Sequence, residues 1–218
     1  MIMNPRPVVD PNDKNQKPTR ERIFEAAVDL FARDGYSGVS IRDITRAVDI
    51  KESSFYNHFP SKEALLQAIL DYFRVRYRQL TASEVDLDEI LPQRTPEEFW
   101  MRGALLSFDI MQDPMMKKIN CILTLEQYRS PQAQQIILEE IIERPLKFAS
   151  LVFEKMIKLG KIRPYDPELL ASEYLMPTYT LTLQFMLLDA AGLDTSAVRE
   201  RLMAHIHFFG ETIRPDQD

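Results

Sequence analysis

Apolar positions recur every three to four residues along most of the chain, the spacing of one buried stripe on an α-helix. From Thr19 to Asp34, Ile23, Ala27, Leu30 and Phe31 share a face, with Phe24 and Val28 beside them, and Gly35 follows as a C-terminal cap. Ser40 caps a short helix over residues 40–48 that buries Ile41, Ile44 and Val48. A turn over 49–51 leads into a second short helix over 52–59, stopped by Pro60. Ser61 then opens a long helix to about residue 80. The stretch TASEVDLDEILPQR reads as a connector. Thr95-Pro96-Glu97-Glu98 combines a cap, a proline at the first helical position and a capping-box carboxylate, which predicts a helix to about residue 113. Pro114 opens another, to about 128. Ser130-Pro131 opens a third that reaches 159 before Gly160, kinked or split at Pro145. Asp166-Pro167-Glu168 opens the next, with a bend expected at Pro177, and a last helix covers about 196–209. The predicted fold class is all-α.

Composition agrees with this pattern. The chain has 218 residues, of which 45% are hydrophobic, enough for one large core or for a small domain joined to a larger one. No apolar run approaches the roughly 18 residues of a membrane span. The first residues lack the apolar core of a signal peptide, so a cytoplasmic protein with a flexible tail over 1–17 is expected. The single cysteine excludes an internal disulfide and a CxxC site. The net charge of −6 is uneven: residues 1–80 hold 13 Lys and Arg against 11 Asp and Glu, while residues 81–218 hold 14 against 22. Indiscriminate binding to nucleic acid is therefore disfavoured, whereas a basic face near the N-terminus can still meet phosphates.

The chemistry of the stretch SSFYNHF follows from helical geometry. Ser53, Ser54, Asn57 and His58 fan over one side, Phe55 and Phe59 fall opposite, and Tyr56 lies at the border. A helix of eight residues is about 12 Å long, close to the width of the major groove of B-DNA. Ser and Asn reach base edges or phosphates, and Tyr and His bond phosphate oxygens. With the preceding helix, whose first turn is expected to turn Ser40, Arg42 and Thr45 outward, this forms a helix-turn-helix. Lys62 adds a charge at the next helix N-terminus. A polar flank is also what any solvated helix presents, so periodicity alone leaves both readings open.

Residues 20–66 resemble the DNA-binding domain of the TetR family of bacterial transcription regulators. The resemblance rests on Ile23, Ala26-Ala27, Leu30-Phe31, Gly35-Tyr36, Ser40-Ile41, Ile44, Ile50, Ser54-Phe55-Tyr56, His58-Phe59, Ser61-Lys62-Glu63 and Leu65. It implies an all-helical homodimer in which Arg42, Thr45, Lys51, Ser54, Tyr56, Asn57, His58 and Lys62 occupy positions that commonly touch DNA. The chain departs from the family pattern with Asp49 in place of a glycine, Thr45 and Val48 in place of alanines, and Ser53 in place of a glycine.

The resemblance further implies that residues after about 80 form a helical regulatory domain with a small-molecule pocket and a dimer interface. Of ten Met residues, eight lie between positions 101 and 203, and Met suits pockets for varied apolar ligands. Trp100, Phe108, Met111, Met115, Cys121, Tyr128, Tyr174 and Tyr179 are the candidate lining, with Asp109, Glu126, Glu173 and Gln184 as polar groups that could orient a ligand. The same residues also suit an ordinary core. The last two helices are apolar enough to pair with their copies. His205 and His207, two apart, point to different sides of a helix, so no metal site is expected there. No GxSxG, HExxH or P-loop occurs, so neither an enzyme nor a cofactor is expected.

The organisation expected is a tail over 1–17, a three-helix helix-turn-helix domain over 18–64 and a helical ligand-binding and dimerisation domain over 65–218. The function expected is a repressor that binds a palindromic DNA operator as a homodimer and answers to a small, largely apolar ligand. Two alternatives stand beside it: a helical carrier or enzyme that retains the N-terminal motif, and a regulator controlled by a protein partner, which a filled interior after residue 81 would favour.

Overall fold

A computed structural model describes residues 17–81 and 86–215, except the side chains of residues 80, 107 and 109–111. The described elements are helical: α1 (Thr19–Asp34), α2 (Ile41–Ala47), α3 (Glu52–Tyr56), α4 (Lys62–Thr81), α5 (Leu87–Gln93), α6 (Pro96–Gln112), α7 (Pro114–Glu126), α8 (Pro131–Ile136), a π-helical segment (Ile137–Glu143), α9 (Arg144–Lys158), α10 (Pro167–Ala190) and α11 (Ser196–Thr212). The chain divides into two compact units between Leu66 and Gln67, inside α4. The expected tail over 1–17 lies outside the described residues except for Lys17, which pairs with Glu21 and Glu25 on α1.

In the first unit the predicted stripe of α1 is buried through Ile23, Ala27, Val28 and Phe31, while Leu30 and Phe24 stay half-buried. Ile44, Val48, Phe55, Phe59 and Leu65 close the core. The α1–α2 connection needs glycine twice. Gly35 adopts φ +73°, and a Cβ on Gly38 would sit 2.5 Å from the Asp34 carbonyl oxygen.

In the second unit α10 packs against α9 and α11, α6 against α11 and α7, and α5 against α9. Rings fill the centre: Trp100 lies 4.9 Å from Phe153 and 4.5 Å from Tyr174, and Tyr174 lies 5.4 Å from Phe209, centroid to centroid.

The structure refines the expected boundaries. Part of the predicted connector is α5, capped by Asp86, whose carboxylate accepts from the Asp88 and Glu89 amides. Leu87 and Leu91, one turn apart, are buried there, so a short apolar pair against α9 outweighs the polar composition of the stretch. The expected split at Pro145 is real, but it takes the form of a π-helical segment that precedes the proline, in which the Arg144 amide bonds the Glu139 carbonyl five residues back. Proline lacks an N–H, and its ring crowds the carbonyl of residue 141, so a wider turn before it relieves the clash. α10 passes through Pro177 as one helix.

Candidate nucleic-acid interface

α2 starts with a full capping box: the Asp43 amide donates to Ser40 Oγ at 3.2 Å, and the Ser40 amide donates to Asp43 Oδ2 at 3.0 Å. The Ser40 hydroxyl and amide bonds hold the Asp43 carboxyl below its ordinary range. The helix ends at Val48, and Asp49 takes φ 53°, the left-handed turn that the sequence placed on this residue in lieu of glycine. Asn and Asp tolerate that region because their short polar side chains bond locally. Arg22 on α1 donates to the Val48 carbonyl, which fixes the turn.

α3 is shorter than expected. It spans Glu52–Tyr56, with Asn57 as its C-cap and the His58 and Phe59 amides both bonding the Phe55 carbonyl. The predicted two-sidedness holds. Phe55 and Phe59 are buried with ring centroids 6.0 Å apart, and the Arg20 guanidinium covers Phe59 at 4.8 Å. Lys51, Ser53, Tyr56 and Asn57 are exposed, and Ser54 and His58 are half-buried. Tyr56, 54% exposed, is braced edge-on against Phe55, so its phenol stands out from a rigid base. Ser40 and Arg42 are exposed on α2.

Two candidates sit differently from their sequence reading. Thr45 is not outward: it is 2% exposed, and its hydroxyl donates to the Arg42 carbonyl at 3.1 Å. The β-branched methyl finds room in the core beside Ile44, and the back-bond satisfies the oxygen. Lys62 is half-buried, and its ammonium donates to the Tyr36 and Val39 carbonyls at 2.8 and 2.6 Å. It also lies 4.1 Å above the Tyr36 ring. Lys62 therefore ties the start of α4 to the loop after α1, using two of the three ammonium donors. Periodicity could not reveal this, because it reports faces and not reach. Tyr36 belongs to the same arrangement, donating to Glu63 Oε1 at 3.0 Å and packing edge-on to Phe31.

The candidate ligand residues of the second unit do not converge. Trp100, Phe108 and Tyr174 are buried in one core and Met115 is half-buried, but Cys121 is exposed, Tyr128 is 90% exposed and Tyr179 is 41% exposed. Their sequence neighbours on the inward side, Ile122 and Phe185 among them, fill the interior in their place. The side chains of Met111 and Asp109 are not among those described. Glu126 is buried, whereas Glu173 and Gln184 are exposed. A groove of about 290 Å³ in this unit is lined by Leu87, Pro92, Leu151, Lys155 and Leu159 and by none of the candidates. The Trp100 indole N–H is buried without an acceptor, and burial pushes the Tyr174 phenol well above its ordinary pKa.

His205 and His207 point apart as expected. The His205 ring stacks on Tyr174 at 5.8 Å, while His207 Nδ1 lies 2.9 Å from Glu97 Oε1. Sequence reasoning missed that His207 and Glu211, four apart on α11, meet Glu97 of α6 with their ligand atoms within 4.8 Å of one another. Arg214 supplies the counter-charge, 3.6 Å from Glu97 and 2.6 Å from Glu211. Among the described residues, no helix is long and apolar enough to cross a membrane.

The pattern described as bacterial regulatory proteins, tetR family, matches residues 23–69, which contain α2, α3 and the start of α4. The HTH-type transcriptional repressor DhaR of Mycobacterium sp. (strain GP1) is 32% identical over 83 residues, covering 38% of this chain and 42% of its own length. The HTH-type transcriptional regulator YxbF of Bacillus subtilis (strain 168) is 26% identical over 180 residues, 75% of this chain and 45% of its own. The chain thus spans less than half the length of these two relatives. A TetR family transcriptional regulator from Pseudomonas syringae pv. tomato str. DC3000 shares the fold with a TM-score of 0.65 at 19% identity, over 91% of this chain and 98% of that one. With the helix-turn-helix geometry in place and these likenesses beside it, residues 23–69 carry the pattern of the tetR family of bacterial regulatory proteins, in a chain that shares the fold of a TetR family transcriptional regulator.

Proposed function

We propose that the chain represses transcription as a homodimer bound to a palindromic operator, each protomer placing α3 in a major groove. The observation that carries this reading is the exposure of Lys51, Ser53, Tyr56 and Asn57 on one side of α3 while Phe55 and Phe59 anchor the other. That arrangement offers a rigid row of hydrogen-bonding groups to a duplex. The dimer is supported by apolar side chains left exposed on α10 and α11: Leu169, Met176, Tyr179 and Leu187 on the first and Phe208 on the second. A two-fold pair of such faces is self-complementary.

The operator contacts are tested by Asn57→Ala. If Asn57 reads a base edge, the variant loses about 1–3 kcal/mol of affinity for the preferred duplex and relaxes selectivity at one position of each half-site. Unchanged selectivity refutes the placement of α3.

Release by a small, largely apolar molecule in the second unit is part of the proposal. It is supported by the Trp100 N–H, a buried donor without an acceptor beside Tyr174 and Phe153. Trp100 is the single tryptophan, so its emission reports the arrival of a ligand directly. A second reading, control by a protein partner, is favoured by the close ring packing around Trp100, which leaves that core filled.

A further inference from the structure

Glu140 lies on the π-helical segment with its side chain 2% exposed, surrounded by three guanidinium groups. Arg78 of α4 holds it in a fork: Nε lies 2.9 Å from both carboxylate oxygens, and Nη2 bonds Oε1. Arg144 Nη1 stands 3.4 Å from Oε2. Together these groups, Arg78 foremost, hold the Glu140 carboxyl below its ordinary range. Arg74 sits one helical turn before Arg78 on the same face of α4, but its Nε stops 4.0 Å from Oε1, beyond hydrogen-bonding distance. The Nε and Nη2 atoms of Arg74 are buried and have no acceptor. Buried arginine donors left unmet are costly, and the nearby carboxylate that could meet them is occupied by its neighbour.

We infer that Glu140 is a positioning residue with two alternative partners on α4, Arg78 in the arrangement described and Arg74 in a second one, and that exchange between them repositions α4. The movement required is small, roughly 1 Å to bring Arg74 within hydrogen-bonding distance. The π-helical segment suits such a change, because wide turns of this kind are frequent at functional sites and can be shifted by redistributing one residue of helical register. α4 is continuous from Lys62 to Thr81, so a shift at Arg78 is carried along one helix to its first turn, about 24 Å away. A buried carboxylate shared between two arginines a turn apart is a bistable element, not a continuously deformable one. The consequence for DNA rests on the proposed DNA-binding function; the exchange itself does not.

The test uses the full chain with Arg74→Met, Arg78→Met, Glu140→Gln and their combinations. In thermal melting, Glu140→Gln should lower the melting temperature in the unsubstituted chain and still lower it in Arg78→Met, where Arg74 has taken the carboxylate. Adding Arg74→Met to Arg78→Met should shrink that second effect. A Glu140→Gln effect in Arg78→Met that does not depend on Arg74 overturns the exchange. In binding to a duplex selected from random sequences, Arg74→Met and Arg78→Met should move the affinity in opposite directions, each by about fivefold or more. A merely structural role moves both in the same direction, and that result overturns the switch. If the unsubstituted chain selects no duplex, the DNA-binding reading fails while the melting cycle still decides the exchange. Arg78→Lys, which keeps the charge but not the fork, replaces Arg78→Met if the latter does not fold.

Discussion

Replacing Lys62 by Met removes an ammonium that donates to the Tyr36 and Val39 carbonyls and covers the Tyr36 ring, while keeping an unbranched apolar stem. A hydrogen bond to a charged group contributes about 1.5–3 kcal/mol, and an exposed cation–π contact about 0.5–1 kcal/mol. The three contacts share one group and are not additive, and Lys62 is only half-buried, so the sum is discounted to about 2–3 kcal/mol. For a small unit that unfolds in one step this lowers the melting temperature by roughly 10–20 °C. The assay is thermal melting by circular dichroism, paired with duplex binding over a salt series. With Lys62 acting inside the protein, the melting temperature falls and the slope of log affinity against log salt stays within experimental error. A phosphate contact would instead leave the melting temperature in place and reduce the slope by about 0.9. That second pattern would refute the structural assignment of Lys62.

Other substitutions separate similar alternatives. Thr45→Val keeps the shape and deletes the hydroxyl that bonds the Arg42 carbonyl, so it should cost about 0.5–1.5 kcal/mol in urea unfolding and leave duplex affinity unchanged. Gly38→Ala forces a methyl against the Asp34 carbonyl oxygen and should destabilise the first unit by about 1–3 kcal/mol, read as a lower urea midpoint. The Glu97 carboxylate raises the His207 pKa above its ordinary 6.5. A raised value means that protonated His207 contributes stability below 6.5, a contribution lost as pH rises through the folded value. A pH series of unfolding midpoints should show this loss, and Glu97→Gln should abolish it.

The three-helix plan of the first unit was legible because short helices there carry their own punctuation. Ser40 with Asp43, Gly35 and Asp49 each mark a boundary by local chemistry, and Phe55 and Phe59 mark the buried side by spacing. The second unit was legible at its starts, where Thr95-Pro96, Asp113-Pro114, Ser130-Pro131 and Asp166-Pro167 each open a helix. Its interior was not. Cys121 and Tyr128 share helical neighbourhoods with Ile122 and Leu123, and only the packing of other helices decides which side is covered. Thr45 was misread, and the backbone bonds of Lys62 went unseen, for a related reason: a long or β-branched polar side chain can bond the backbone of its own domain, and periodicity carries no trace of that. The pairing of Arg74, Arg78 and Glu140 joins positions more than sixty residues apart and has no local signature beyond a charge one turn from another.

The most direct measurement is selection of bound sequences from a pool of random duplexes by the full chain, repeated with Asn57→Ala. The result predicted is an inverted repeat whose half-sites lie about one helical turn apart or somewhat more, with one position per half-site losing its preference in the variant. Recovery of no enriched sequence, or of an enriched sequence that Asn57→Ala selects unchanged, would contradict the placement of α3 in the major groove.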